Sequence, residues 1–271
     1  MKSEYLPRPA SLLVLLLLAV PPSAFAGAKP AAKPAPDSAD VRVLPVGETP
    51  PLAMHQENGR YVQTPYRPGE APASRMVVHE GSKAKSVTMT LNRLNRVPGG
   101  VDAGSHLRFA VPGDKAATPE TPWCEATLPA GSRKVLVLLR PSPDAKWNRP
   151  LVETIDLASA TTGGPGIRII NTGTLALSGR IGEENVVINP GATVSIPAAK
   201  IKGAAPFRFA SQGADRNYLV EIDRTVAAQD DAVNFLIIYP SRNIPGKRVA
   251  ICEFSERLPV PERERVAMDG R

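Results

Sequence analysis

The sequence predicts an all-β protein, an antiparallel β-sandwich of about ten short strands, and three observations carry that expectation. From residue 76 onward, short apolar runs follow one another closely, parted by Gly, Pro and Asn. Within most runs apolar and polar residues alternate, the period of a strand with one buried face. No run keeps an apolar stripe of helical period for three turns; "TVAAQDDAV" makes two at most.

Residues 1–26 read as an export signal. Lys2 and Arg8 precede an apolar run at 12–20, and Ala24 and Ala26 form the A-x-A pattern that signal peptidase cuts after, so the mature chain is expected to begin at Gly27. Nine uninterrupted apolar residues fall short of the roughly 20 that a bilayer core requires, so no membrane span is expected in the mature chain. The product is therefore placed in the periplasm, at the cell surface or outside the cell. Losing two basic residues and one acidic residue takes the formal charge from +7 to +6. The Lys and Arg residues are scattered rather than striped with aromatics, which argues against nucleic acid as a partner.

Residues 27–75 are rich in Ala and Pro ("AKPAAKPAPDSAD", "PVGETPPLAMHQENGRYVQTPYRPGEAPAS"). Proline at this density fixes φ and removes backbone donors, which predicts a disordered linker ahead of a body at 76–260. Tyr61 and Tyr66 in "GRYVQTPYRPG" are the only features there that suggest docking.

In the body, "SVTMTLNRL" and "SHLRFAVPG" alternate as half-buried strands. "KVLVLLRPSP" is denser, as expected for a strand covered on both sides. A breaker at 163–166 is followed by Ile167 and Ile169, then by Leu175, Leu177 and Ile181 on one parity with Gly179 between them, where a bulge or a close neighbouring backbone would explain the missing side chain. "GEEN" and "NPG" supply turns, and the whole of 166–197 reads as a meander. "PFRFAS", "NYLVEID", "AVNFLIIYPS" and "KRVAICEF" follow, the last two as a hairpin, and 261–271 is a charged tail. The body suits one large sandwich or two small lobes dividing near 160–165. The match of "VLVLLRPSP" to "FLIIYPSRN" is too short to establish a repeat.

The combination "IRIINTG", "INPGATVSIP" and "FLIIYPS" resembles uncharacterised exported bacterial β-sandwich proteins of the immunoglobulin-like kind. The resemblance covers roughly 130–254 and implies a fold, with no activity attached.

Catalytic patterns are missing: no G-x-S-x-G, H-E-x-x-H, phosphate-cradling loop or dinucleotide fingerprint occurs. Of the three histidines, His55 lies in the linker segment, while His79 and His106 sit at strand edges and read as exposed or capped imidazoles. Neither cysteine has a nearby His, which argues against blue copper. The carboxylate pairs Glu183–Glu184, Asp230–Asp231 and Glu153/Asp156 are candidates for cleaving glycosidic bonds, and the first two pairs fall in expected turns, where acidic residues simply face water. No catalytic residue, metal or cofactor is expected. Cys124 and Cys252 permit one disulfide in an oxidising compartment, and the sequence leaves their pairing open. Trp123 and Trp147, in loops beside "KVLVLLRPSP", are the candidate ligand-binding residues, as sugar-stacking indoles or as caps of the core. The function read from these features is an exported, non-enzymatic structural or interaction module whose partner is a protein or cell-envelope polymer. A carbohydrate- or cell-wall-binding module is second, and a secreted hydrolase third.

Overall fold

The computed structural model describes residues 38–113, 121–144, 146–201, 203–213, 215–242 and 244–258. The export segment, residues 27–37 and the charged tail lie outside the described residues. β1 (Ser38–Pro45) already belongs to the body. It lies between β10 (Lys134–Ser142), with which it pairs in parallel, and the short β6 (Asn95–Arg96) and β7 (Val101–Asp102). The linker expectation therefore fails for 38–45. "SADVRVLP" has no proline before its last residue, so every interior amide is free to enter the ladder.

Four further strands build a second sheet of the first half. These are β4 (Arg75–Glu80), β5 (Lys83–Thr88), β8 (His106–Ala110) and β9 (Cys124–Thr127), in the order β5-β4-β8-β9. β11 (Lys146–Asp156) edges the first sheet, whose order is β11-β10-β1-β6. Between the two sheets lie Val41, Val43, Met76, Val78, Leu107, Phe109, Val135 and Val137, all buried. β2 (Met54–Glu57) and β3 (Arg60–Gln63) form a separate two-stranded ribbon.

The short helix α1 (Leu157–Thr161), capped by Asp156, leads to the second half. Its strands are β12 (Gly166–Asn171), β13 (Leu177–Ile181), β14 (Glu184–Ile188), β15 (Thr193–Pro197), β16 (Ala204–Gln212), β17 (Tyr218–Ala227), β18 (Ala232–Pro240) and β19 (Val249–Arg257). They make sheets β15-β12-β18-β19 and β14-β13-β16-β17, with β12 and β18 parallel. This is the connectivity of the first half over again: β12 stands for β1, the β13–β14 hairpin for β4–β5, β15 for β6, β16 and β17 for β8 and β9, and the pair β18–β19 for β10–β11. "VLVLLRPS" and "FLIIYP" thus lie in equivalent strands.

Residues 166–197 are not a meander within one sheet. β12 and β15 pair in one layer, and the β13–β14 hairpin between them lies in the other. Asn171 fixes the switch: its buried amide donates to the carbonyls of Leu175 (2.8 Å) and Ile188 (3.2 Å), while its oxygen accepts from Gly173 N (3.0 Å). Gly179 marks a close approach, since a Cβ there would collide with the Arg208 carbonyl and Phe209 of β16.

The central strands are buried on both faces. In β1 and β10, Val41, Val43, Val135 and Val137 face the first core, while Leu44, Leu136 and Leu138 face Ile170, Phe235, Ile237 and Tyr239 of β12 and β18. Leu157 and Ala160 of α1 join this shared layer. Ion pairs close one end of it: Glu256 accepts from Arg42 (2.5 Å) and from Lys134, and Asp40 from Arg42 (3.1 Å) and Arg96 (2.8 Å). At the other end Glu48 accepts from Ser241 Oγ (2.9 Å), and Asn92 holds Gly47 and reaches Tyr239.

Burying Val41, Val43 and Leu44 contributes about 5–9 kcal/mol in total, comparable to the whole stability of an ordinary domain. A chain beginning at Val46 is therefore expected to lose its cooperative thermal transition by circular dichroism, whereas removal of a true spacer would leave it unchanged.

Candidate functional site

The cysteines are not bonded. Cys124 faces the first core and Cys252 the shared layer, so the β1–β10 sheet lies between the two thiols. That topology overturns the disulfide. Burial pushes both thiols up, Cys252 to about 11 with Glu253 adding to the effect, which leaves them unreactive at neutral pH.

Trp123 and Trp147 come together, but inside. Their rings lie 6.5 Å apart at 18°, only 8% and 3% exposed, and Trp123 Nε1 donates to the Trp147 carbonyl at 2.5 Å. Both belong to the first core, with Gly47 and Gly69 backbone against Trp147. Neither indole offers a free face on which a sugar ring could stack.

Three of the six paired carboxylates have structural partners. Glu184 meets Lys200 (3.2 Å), Glu153 meets Arg140 (3.9 Å), and Asp156 caps α1 through Ala158 N and Ser159 Oγ. Asp231 accepts from Leu258 N through its backbone carbonyl. Two carboxylates that the sequence did not single out are far more enclosed. Glu221 accepts from Ser211 Oγ, from Arg248 N (2.7 Å) and from Arg248 Nε (2.7 Å). Glu80 accepts from Asp102 N (2.6 Å), Ser105 Oγ (3.3 Å) and Lys85 (3.0 Å). Burial alone would raise both carboxyls, but these donors outweigh it and hold each below the usual carboxylate range.

His79 and His106 lie on the solvent face of the β5-β4-β8-β9 sheet, beside Arg108. His106 approaches Thr127 Oγ1 (3.1 Å) and Glu125 (3.4 Å). Among the described residues, no group of three or more His, Cys, Asp or Glu side chains could hold a metal, and no helix is long and apolar enough to cross a membrane.

The feature that stands out is the β2–β3 ribbon. Asn58 and Gly59, at φ 50° and 77°, make the tight turn that two-residue hairpin loops require. All eight strand residues are exposed. His55, Glu57, Arg60 and Val62 share one face, where His55 pairs with Glu57 (3.8 Å) and Thr64 Oγ1 (3.1 Å). The other face carries Met54, Gln56, Tyr61 and Gln63, none charged, with Met54 55% and Tyr61 75% exposed; Leu52, on the same parity, is 67% exposed. Because Glu57 and Arg60 flank a two-residue turn, hydrogen-bonded pairs fall at 57/60, 55/62 and 53/64, the last seen as Thr64 N to Ala53 O at 2.7 Å. The amides and carbonyls of Met54, Gln56, Tyr61 and Gln63 consequently point outward, unpaired within the ribbon. The second half passes from β12 to β13 in a few residues with no such ribbon.

No family model matches this chain, and no curated protein matches it.

Two outcomes follow. Tryptophan emission of the folded protein is expected to be blue-shifted and shielded from acrylamide, and to stay so when acidic or neutral polysaccharides are added; a glycan-dependent shift would place an indole at a binding surface. Glu80 and Glu221 are more acidic folded than unfolded. Their stabilisation is therefore present above the unfolded value of about 4.3 and is lost as pH falls through it toward the folded values. Thermal melts should show the midpoint dropping below about pH 4.3, with a shallower drop in Glu221→Gln, whose neutral-pH stability is lower by roughly 2–3 kcal/mol.

Proposed function

We propose that the chain is an exported, non-enzymatic interaction module of the cell envelope, and that its contact element is the β2–β3 ribbon. One observation carries the reading: a charge-free face bearing Leu52, Met54 and Tyr61 stands in solvent on a ribbon that the fold of the second half does without. An isolated two-stranded hairpin is marginal in water, and exposed aromatic and Met side chains at this density are typical of interface centres rather than of free surface. The absence of charge on that face favours a protein partner over a polyanion. The open backbone at Met54, Gln56, Tyr61 and Gln63 suits strand addition, in which main-chain hydrogen bonds supply affinity and flanking side chains supply choice.

Export is supported by the apolar run at 12–20 with Ala24 and Ala26. The enclosure of Cys124 and Cys252 on opposite faces of one sheet keeps the two thiols from pairing with each other in either redox environment.

A photo-crosslinking residue at position 61 in the producing cells tests the contact directly, with position 224 on the opposite half as control. A discrete protein adduct is expected at 61 and not at 224, and Met54→Ser is expected to reduce it roughly tenfold while leaving the melting midpoint unchanged. Equal labelling at both positions, or none at 61, would remove the ribbon from the interface.

A further inference from the structure

The free edge of β3 is short and sharply bounded. β3 pairs with β2 alone, and on its other side the amides and carbonyls of Tyr61 and Gln63 make no hydrogen bond among the described residues. Edge strands are ordinarily blunted by charge or by proline. Here the two outward residues are uncharged, and the groups that stop the edge lie just beyond them. Gly59, at φ 77°, belongs to the turn, and Pro65 has no amide hydrogen.

Those bounds select how two copies of the strand can pair. An antiparallel pair about a two-fold axis must set outward residue against outward residue. Centred on Tyr61, the pairing brings Gln63 against Gly59 in the turn of the second copy. Centred on Gln63, it brings Tyr61 against Pro65, which cannot donate. Centred on Val62, it sets Tyr61 against Gln63 twice over, and four main-chain hydrogen bonds satisfy every open group of the edge. The side chains agree: Val62 meets Val62 of the second copy, and Arg60 faces Thr64. The two Arg60 positions are then four residues apart along the strands, about 13 Å, beyond the roughly 8 Å over which exposed charges act at physiological salt. The edge of β2 fits less well, since a two-fold pairing about His55 sets imidazole against imidazole. Setting β2 of one copy against β3 of the next would match Glu57 with Arg60, but it repeats the ribbon every two strands, about 10 Å, with the chain leaving each ribbon at the same end. A body of this size has a radius of gyration of about 16 Å, so successive bodies would collide. The two-fold pairing about Val62 sends them to opposite ends.

We propose that the partner of the ribbon is a second copy of this chain, joined through β3 about a two-fold axis at Val62 to make one four-stranded antiparallel sheet. The inference rests on the reading of the ribbon as the contact element. Four strands with one continuous uncharged face, built of Met54, Gln56, Tyr61 and Gln63 from each copy, meet the condition for stability that a lone hairpin does not. A contact between two strands this short falls below the roughly 1,000 Å² that stable interfaces clear, so the dimer is weak and concentration-dependent.

The test uses the purified mature protein. Sedimentation velocity should show a monomer–dimer equilibrium that moves with concentration between the micromolar and near-millimolar ranges. Val62→Cys should give a covalent dimer under mild oxidation, because residues facing each other at a non-hydrogen-bonded antiparallel position have Cα atoms about 4.5 Å apart, within disulfide reach. Arg60→Cys should form one roughly tenfold more slowly or not at all, its partner position being out of that reach. The native thiols of Cys124 and Cys252 are buried and do not compete. Gln63→Pro removes an amide hydrogen that points away from β2, so the melting midpoint should hold while association weakens roughly tenfold or more. Equal crosslinking at positions 60 and 62, a dimer that survives Gln63→Pro, or a monomer at every concentration with no covalent dimer from Val62→Cys would overturn the pairing. Its failure is separable from failure of the contact element: with self-pairing gone, a position-61 adduct to a different protein in cells would keep the ribbon as the interface, and no adduct at all would remove both.

Discussion

Everything in this molecule hangs on one apolar layer, the contact of β1 and β10 with β12 and β18. Leu44, Leu136 and Leu138 on one side meet Ile170, Phe235, Ile237 and Tyr239 on the other. Each of these strands also supplies the inner face of its own sandwich, so the layer joins two cores that would otherwise be separate. Parallel pairs occur where both faces are covered, and here both sit at the centre. The burial that makes them continuous apolar runs also fixes what surrounds them. The polar groups of β1 that share the layer's face, Asp40 and Arg42, fall beyond its apolar part and are matched there by Arg96, Lys134 and Glu256.

That arrangement decides where chemistry can happen. Cysteines and tryptophans, the residues richest in possible function, are consumed by the cores: the thiols on opposite faces of one sheet, the indoles stacked at the β9 and β11 ends of the first sandwich. What remains accessible is peripheral. Among the described residues it includes the ribbon inserted between β1 and β4. The ribbon is an addition to a frame that is complete without it, the arrangement in which function tolerates change and the core does not.

Much of the frame was legible from residues. "KVLVLLRPS" and "AVNFLIIYP" announce strands covered twice, and "GEEN" the hairpin that β13 and β14 make. Two things were not. Period two tells which residues share a face but not which sheet receives them, so the switch of chain between layers at Asn171 looks in sequence like one more turn. Proline-rich surroundings also hid two elements. "SADVRVLP" is too short to stand out beside "AKPAAKPAP", and Asn58-Gly59 between "AMHQE" and "RYVQT" is a strong hairpin signal buried in a segment whose composition speaks for disorder. The enclosed Glu80 and Glu221 were invisible because their donors come from distant strands. The fate of Cys124 and Cys252 likewise depended on topology that spacing does not contain.

Hydrogen exchange read by mass spectrometry tests most directly whether one shared layer holds the whole body together. Peptides covering β1, β10, β12 and β18 should be the slowest and should exchange together, with β1 as protected as β10, while the 54–63 ribbon exchanges within seconds. Rapid exchange of residues 38–45, or release of the two halves at well-separated rates, would contradict the account, since either would mean that β1 is a tether or that the halves do not share a core.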